Sequence, residues 1–379
     1  MTEPRFLQIH TLSQYTGVLL NRDETGQAKR LPYGGVSRTR ISSQCLKRHW
    51  RVADDPHALD RIDGAEAAFR SRELVTKKVM EPLRTRFPDD VLEALEPEIQ
   101  RAVYGEKGVT RQNRQTLLLG APEIRWLARE AERMAEEAGG RPAAAEEAVA
   151  VWRKTFHHNI RAMRDAATLP AGLTAALFGR MVTSDADANI AASIHVAHAF
   201  TVHGEEAESD YFTAVDDLSD AEPGADTIQE TELTSGLFYG YVVVDLPGLL
   251  KNLGGDADTT AAADMAGAVL HNLVYLVAEV SPGAKLGSTA PYGRASLMLL
   301  ESGERQPRAL SEAYRNPCAP DARAAADAMA RHLHLLDEAY GTGEERRVMA
   351  LVPVEFPRAE QGTLADLAAW AKALPGAFK

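Results

Sequence analysis

The chain has 379 residues, 45% hydrophobic and 25% charged, which is material for two or three ordinary domains or for one domain with a large insertion. Its 54 acidic and 42 basic side chains leave a net charge of -12 and a pI near 5.5, which argues against promiscuous binding to nucleic acid. Two cysteines, Cys45 and Cys318, give neither a disulfide framework nor a zinc-ligand spacing. The amino end lacks the apolar core of a secretion signal, and no later run approaches the ~20 apolar residues of a membrane-spanning helix. A cytoplasmic protein with no membrane partner is expected.

Taken in order, Phe6 to Leu12 alternates, with Leu7 and Ile9 opposing Gln8 and His10, and predicts a first strand. The polar loop NRDETGQAK leads into Thr25–Arg51, which holds Lys29, Arg30, Arg38, Arg40, Lys47, Arg48 and Arg51 and no acid. Without these seven, 35 cations would face 54 anions, so the stretch concentrates positive charge that the net value hides. Gly34-Gly35 can bring bare backbone N–H groups near an anion, and Ser42 or Ser43 can cap a helix. On that helix Gln44, Lys47, Arg48 and Arg51 share one side and Leu46 and Trp50 mark the other.

From about Pro56 to Leu177 the texture becomes Ala, Glu, Arg and Leu at helical spacing, including helices over Glu123–Ala138 and Ala143–Phe156, and reads as an all-helical insertion. Gly204 to Glu232 carries eleven acids and no Lys or Arg, with Tyr211 and Phe212 too apolar for an idle linker. Leu237–Leu246 reads as a strand, Thr259–Val280 as a helix, ASLMLL as a strand, Asp321–Tyr340 as a helix, VMALVP as a strand and Leu364–Leu374 as a short helix. With the insertion set aside the order is β, α, excursion, β, α, β. That is an α+β plan compatible with a split βαββαβ, ferredoxin or RRM-like fold.

The run NRD at Asn21–Asp23, YGG followed by RTRISSQ over Tyr33–Gln44, and the LKRHWR after it resemble the amino-terminal signature of the type I-E CRISPR Cascade backbone subunit, the CasC family. Further matches recur in order almost to the end of the chain. The resemblance implies an RRM-like (ferredoxin-like) palm over 1–55, 179–203 and 235–379, a helical domain inserted at 56–178, and a protruding thumb at 204–234. It also implies a non-enzymatic subunit without cofactor or metal. Its partners would be crRNA, target DNA through the guide, other copies of itself stacked head to tail, and other Cascade subunits.

A single strand is held by a positive groove with apolar or aromatic wedges, because phosphate contacts ignore sequence and stacking tolerates every base. Arg22, Lys29, Arg38, Arg40, Ser43, Gln44, Lys47, Arg48 and Arg51 fit the polar half of that requirement, and the resemblance assigns crRNA contacts to this region. Val36 and Ser37 stand where relatives carry a basic pair. Arg180 and Met181 in GRMVTS offer a phosphate partner and a thioether wedge; a core methionine is the plain alternative. Tyr211 and Phe212 fall in the implied thumb, and tyrosine keeps a stacking face where the family often has tryptophan. In PGAKLGSTAPYG, Lys285 and Ser288 can cradle a phosphate, although the loop lacks Walker A spacing and a simple turn is the alternative.

His157, His158, His195, His198 and His203 lack the offsets of a metal site and are better explained by packing. Asp185, Asp187, Asp216 and Asp217 are acids of loops, seldom catalytic. Asp23 is more pointed, since related type III backbone subunits use an aspartate in an amino-terminal loop to cut target RNA. An RNA-cleaving backbone using Asp23 and a helical-domain metabolic enzyme using the histidines are therefore the alternative readings.

Overall fold

A computed structural model describes residues 4–166, 169–182, 186–214, 227–254 and 259–378. In chain order the strands and α-helices are β1 (Phe6–Val18), β2 (Arg30–Tyr33), β3 (Val36–Ile41), α1 (Ser43–Arg51), β4 (Ala68–Ser71), α2 (Asp89–Tyr104), β5 (Leu117–Gly120), α3 (Ala121–Ala138), α4 (Pro142–Ala166), α5 (Leu173–Phe178), β6 (Ile194–Val196), β7 (Ala199–Thr201), β8 (Glu206–Ala214), β9 (Thr227–Asp245), α6 (Leu246–Gly254), α7 (Thr259–Glu279), α8 (Leu286–Thr289), β10 (Ala295–Gly303), α9 (Ala322–Tyr340), β11 (Glu345–Ala350), β12 (Ala359–Gln361) and α10 (Leu364–Ala373). They fall into two compact units. The first comprises Met1–Leu59, Ile194–Leu246 and Gly267–Lys379, and the second Asp60–Ser193 and Pro247–Ala266.

The first unit is built on a mixed sheet in the order β12-β11-β10-β1-β9-β7-β3-β2, with β6 and β8 also pairing β9. Its centre, β10-β1-β9-β7, is antiparallel throughout. The chain enters that centre as β1, α1, β7, β9, α7, β10. β1 is longer than its alternation suggests, and every residue from Phe6 to Leu12 is buried, because both faces of the sheet are covered. On one face Thr11 and Tyr15 meet Leu46 and Trp50 of α1 and Val277 of α7 around a small apolar cavity. On the other, Leu12, Tyr239, Leu297 and Leu299 pack with Leu310, Tyr314 and the α9 residues Ala325, Met329 and Leu333.

Gln8 and His10, the expected solvent side of β1, therefore lie in the interior. His10 holds Tyr239 through Nδ1 at 2.9 Å and Glu301 through Nε2 at 3.0 Å, and its ring stacks on Tyr241 with centroids 4.8 Å apart. Glu301 also accepts two bonds from Arg308 and one from Arg346, each at 2.8 Å. Arg346 reaches on to Asp337 at 2.6 and 2.7 Å. Alternation cannot reveal such a network, because Glu301 follows His10 by 291 residues.

Residues Thr260–Glu279 of α7 form a helix long and apolar enough by length and composition to cross a bilayer, contrary to the sequence expectation. Within the first unit its Val269, Leu270, Leu273, Val274 and Leu276 are all buried, as in a core helix.

The second unit packs α2, α3 and α4 through Leu92, Leu95, Ile99, Leu127, Met134, Val149, Trp152 and Phe156. It is not all-helical, since Ala68–Ser71 pairs antiparallel with the apolar run Leu117–Gly120. It also extends past the expected boundary at 178. Arg180 and Ile190 exchange backbone bonds, and Ser193 Oγ donates to the Ala176 carbonyl at 2.9 Å, which ties 179–193 to α5.

The acidic stretch after Gly204 begins as a strand. β8 runs antiparallel to the start of β9, from Glu206 opposite Ser235 to Ala214 opposite Thr227, and forms a two-stranded arm.

Candidate nucleic-acid interface

Ser42 is the N-cap of α1: its backbone is extended and its Oγ accepts the Cys45 N–H at 3.2 Å. Arg48, His49 and Arg51 occupy the last turn, where the helix dipole favours cations. Trp50 is buried and Leu46 partly buried, whereas Gln44 and Arg48 are exposed. The amphipathic reading of this helix thus holds at Gln44, Arg48 and Trp50. Ser43 is buried, with its Oγ 3.3 Å from Gln44 Oε1, and Lys47 and Arg51 are half-buried with further interactions.

Three motifs far apart in sequence converge beside this helix. An open groove of about 480 Å³ is lined by Asn21, Arg22, Asp23 and Glu24, by Cys45 and His49 of α1, and by Gly283 and Ala284. The Ala284 N–H bonds the Leu19 carbonyl at 2.9 Å and pins the PGAK turn to the end of β1. Lys29 N–H donates to the Asn21 carbonyl at 2.9 Å and Arg40 N–H to the Lys29 carbonyl at 2.8 Å, so backbone bonds place both cations next to the NRD loop.

The field of these cations is legible in two titrating neighbours. His198 is pushed below its usual pKa first by burial and then by Arg40, Lys29 and Lys47, and its Nδ1 accepts from Arg40 NH1 at 3.0 Å. Cys45 is pushed up to about 11 by burial, with Lys29 and Arg48 pulling the other way. Lys29 and Arg40 are thus held together beside His198. Arg22 is exposed at the groove.

Other expected contacts are committed elsewhere. Arg38 is fully buried, and its guanidinium donates to the carbonyls of Tyr33 (3.1 Å), Thr201 (2.9 Å) and Tyr314 (2.8 Å). It crosslinks three segments of the fold and has no face left for a phosphate. Gly34 and Gly35 both have positive φ, but a Cβ on Gly34 would lie 1.6 Å from the Arg315 carbonyl oxygen. The glycine there serves close backbone packing and not an anion nest.

Arg180, in the second unit, is likewise buried. Its NH1 donates to Glu123 at 2.6 Å and its Nε to the Ala188 carbonyl at 2.8 Å, while Glu123 Oε2 also accepts the Gly120 N–H at 3.0 Å. The adjacent Met181 is 70% exposed, unlike a core methionine. Tyr211 on β8 is 66% exposed and stands opposite Glu230; Phe212 lies on the same strand. Lys285 is half-buried and donates to Thr231 Oγ1, and Ser288 is exposed in the one-turn α8.

Asp23 lines the groove, but its Oδ1 accepts from Thr25 N (2.9 Å), Thr25 Oγ1 (2.8 Å) and Gln27 N (3.0 Å). The bond from the Thr25 hydroxyl, partly opposed by desolvation, holds its carboxyl below the usual range. The carboxylate closes a turn. Asp187 is exposed and faces Arg161 at 3.5 Å, while Asp185, Asp216 and Asp217 lie outside the described residues. Among the described residues no group of three or more His, Cys, Asp or Glu is placed to hold a metal ion. His203 is instead buried, with Nε2 accepting the Leu237 N–H at 3.1 Å.

Sequence reading passed over two participants. Arg30 was visible only as one more cation, and His198 only as one of several histidines; the pairing of each is a matter of tertiary contact.

A large sheet with helices on both faces, joined to a largely helical unit, is a fold with solved counterparts. One chain described as "CRISPR RNA-guided surveillance complex, pre-nicking" superposes with a TM-score of 0.79 at 22% identity, covering 97% of this chain and 100% of its own. Another, described as "CRISPR RNA-guided surveillance complex", gives 0.67 at 22% identity, covering 97% and 99%. These likenesses define the class as a mixed α+β fold of the kind found in those complexes. By sequence, residues 7–372 match the Cas family of CT1975-like proteins, and the chain belongs to that family. No curated protein sequence matches it.

Proposed function

We propose that this Cas protein is a subunit of a CRISPR surveillance complex that grips the backbone of a guide RNA. The observation that carries the reading is the gathering of cations beside the groove: Arg40 bonds His198 at 3.0 Å and the Lys29 carbonyl, and Arg22 and Arg48 stand exposed, in a chain of net charge -12. A cluster kept so close against its own repulsion is suited to a polyanion. The groove beside it, with an exposed tyrosine on the arm, matches what a single strand asks of a protein.

The finer reading is a type I-E backbone subunit of the CasC kind. Its palm is RRM-like, a view supported by the central order β10-β1-β9-β7 with α1 and α7 as the two crossovers. Copies stack head to tail along the crRNA in the cytoplasm and present its bases to target DNA, beside other Cascade subunits. Specificity then belongs to the guide and the protein reads backbone. The subunit is non-enzymatic, and the three donors on Asp23 Oδ1 favour this over RNA cleavage.

Expression and purification from cells carrying a CRISPR array tests the proposal. RNA of uniform length should co-purify with the wild type and be lost from Lys47→Glu/Arg48→Glu. A wild-type protein free of RNA overturns it. Slower cutting of guide-bound target RNA by Asp23→Ala than by the wild type would bring back the nuclease reading.

A further inference from the structure

The base of the arm is held from both sides by cations of its own unit. Arg30, on β2, donates from Nε to Glu205 Oε1 at 2.6 Å and from NH2 to Glu232 Oε1. Glu232 Oε2 takes the Ala28 N–H at 2.6 Å, and Ser37 Oγ donates to Glu205 Oε2 at 2.8 Å. Lys285 reaches Thr231 Oγ1 on the next residue of β9, whose side chain points to the opposite face of the ribbon. Arg30 keeps 30% of its side chain exposed. With NH1 on the Ala28 carbonyl at 3.0 Å, three of its five N–H donors are engaged and two are left over.

A carboxylate and a phosphodiester present the same thing to a guanidinium: two oxygens sharing one negative charge at a spacing that suits its fork. We propose that Glu205 and Glu232 are positioning residues that hold Arg30 in place of a phosphate, and that a polynucleotide phosphodiester displaces them. Binding the strand and releasing the arm from β2 are then one event. The inference rests on the RNA-binding reading and adds to it a contact, Arg30, and a coupling.

The register says which part of the arm responds. Residues directly opposed in an antiparallel pair share a face, so Ser209 with Glu232 and Tyr211 with Glu230 lie on the face that Arg30 grips. Tyr211 sits two residues, ~7 Å, further along that face. Freeing Glu232 therefore moves the stacking ring of Tyr211 relative to Arg30 on β2.

The test uses the full chain and a single-stranded oligouridylate. In the wild type the phosphate meets a guanidinium already neutralised by Glu205 and Glu232, and the acids it frees take cations back from solution, so the contact adds nothing to net ion release. In Glu205→Gln/Glu232→Gln the phosphate meets an unneutralised guanidinium. Affinity should then rise about tenfold at low salt, and the slope of log K against log salt should steepen by ~0.7, one phosphate's worth on a single strand. Adding Arg30→Gln to the double variant should cancel both changes. An affinity that falls with the slope unchanged would make the two acids structural only and overturn the inference.

A second measurement keeps the two claims apart. Hydrogen exchange at the Ala28 amide should be slow in the free wild type, fast in Glu232→Ala, which removes the acceptor, and fast in the wild type once oligouridylate is bound. An Ala28 amide still protected in the bound protein overturns the displacement while leaving RNA binding intact. A wild type that binds no oligouridylate, with Ala28 still dependent on Glu232, sinks the RNA-binding reading itself.

Discussion

Two regions of the first unit are rich in arginine and use it in opposite ways. Under β10 and β11, Arg346 and Arg308 converge on Glu301, and Arg346 continues to Asp337, so each of these two cations meets a carboxylate in the interior. Around α1, the charges felt most by His198 are three of one sign. In the first region each charge meets its opposite in the interior and shapes the fold; in the second, Arg22 and Arg48 stand exposed at the surface. Arg38 and Arg48, ten residues apart, show the divide most sharply: one is spent on three carbonyls, the other is exposed.

The comparison breaks most visibly at Arg346. Arg346→Met removes the buried cation that Glu301 and Asp337 share, leaving them Arg308 and Arg358, and should cost ~3 kcal/mol, read as a drop in Tm. A Tm like that of the wild type would put the network outside the folding balance. Lys47→Glu/Arg48→Glu should do the reverse, weakening oligouridylate binding ~100-fold at low salt while Tm stays within a few degrees. Should stability fall as far as affinity, the surplus on α1 is structural after all.

Acid sharpens the contrast. Burial pushes the Asp337 carboxyl up, but bonds from Arg346 and Thr342 outweigh it and hold it down at about 2, against an ordinary 3.8. Its contribution is therefore fully present above about pH 4 and is lost as pH falls toward 2. Glu301 is lowered in the same sense, its burial outweighed by His10 and Arg308. Unfolding followed by circular dichroism from pH 5 to 2 should show the loss, and Asp337→Asn should remove part of it.

Smaller effects report on the α1 face. With its thiol near 11, Cys45 should react with a disulfide reagent at pH 8 far more slowly than a free thiol, as judged against Cys45→Ser; fast labelling would mean that burial there is not maintained. The smallest is His198, whose imidazole should titrate below 6.5 by NMR in the free chain. Phosphate brought to Lys29, Arg40 and Lys47 offsets their repulsion, so the midpoint should climb when oligouridylate binds and binding should tighten as pH falls through that range. A midpoint indifferent to RNA places the strand elsewhere.

Much of this was legible in the sequence because it is local. The capping serine of α1 follows from local spacing, as do the extents of α9 and α10, whose caps Asp321 and Thr363 the structure adds. What stayed hidden depends on distant partners. Arg38 reads as surface charge until Thr201 and Tyr314 close over it, and Arg180 does so until Glu123 is placed beside it. The glycine pair suggested an anion nest because the carbonyl of Arg315, which excludes a side chain at Gly34, lies far along the chain. The acidic run carries few strand signals of its own because Glu, Ser and Asp are poor strand formers, and pairing with β9 decides their state.

That arm leaves β8 with β9 as its partner and its other side open among the described residues. An open row of amide and carbonyl groups invites any passing strand to add itself, the first step toward aggregation. Glu206, Glu208 and Asp210 stand along that row, all exposed, and a second arm brought alongside would meet like charge at every other residue. Those carboxylates thereby oppose the zipping together of crowded copies through this strand.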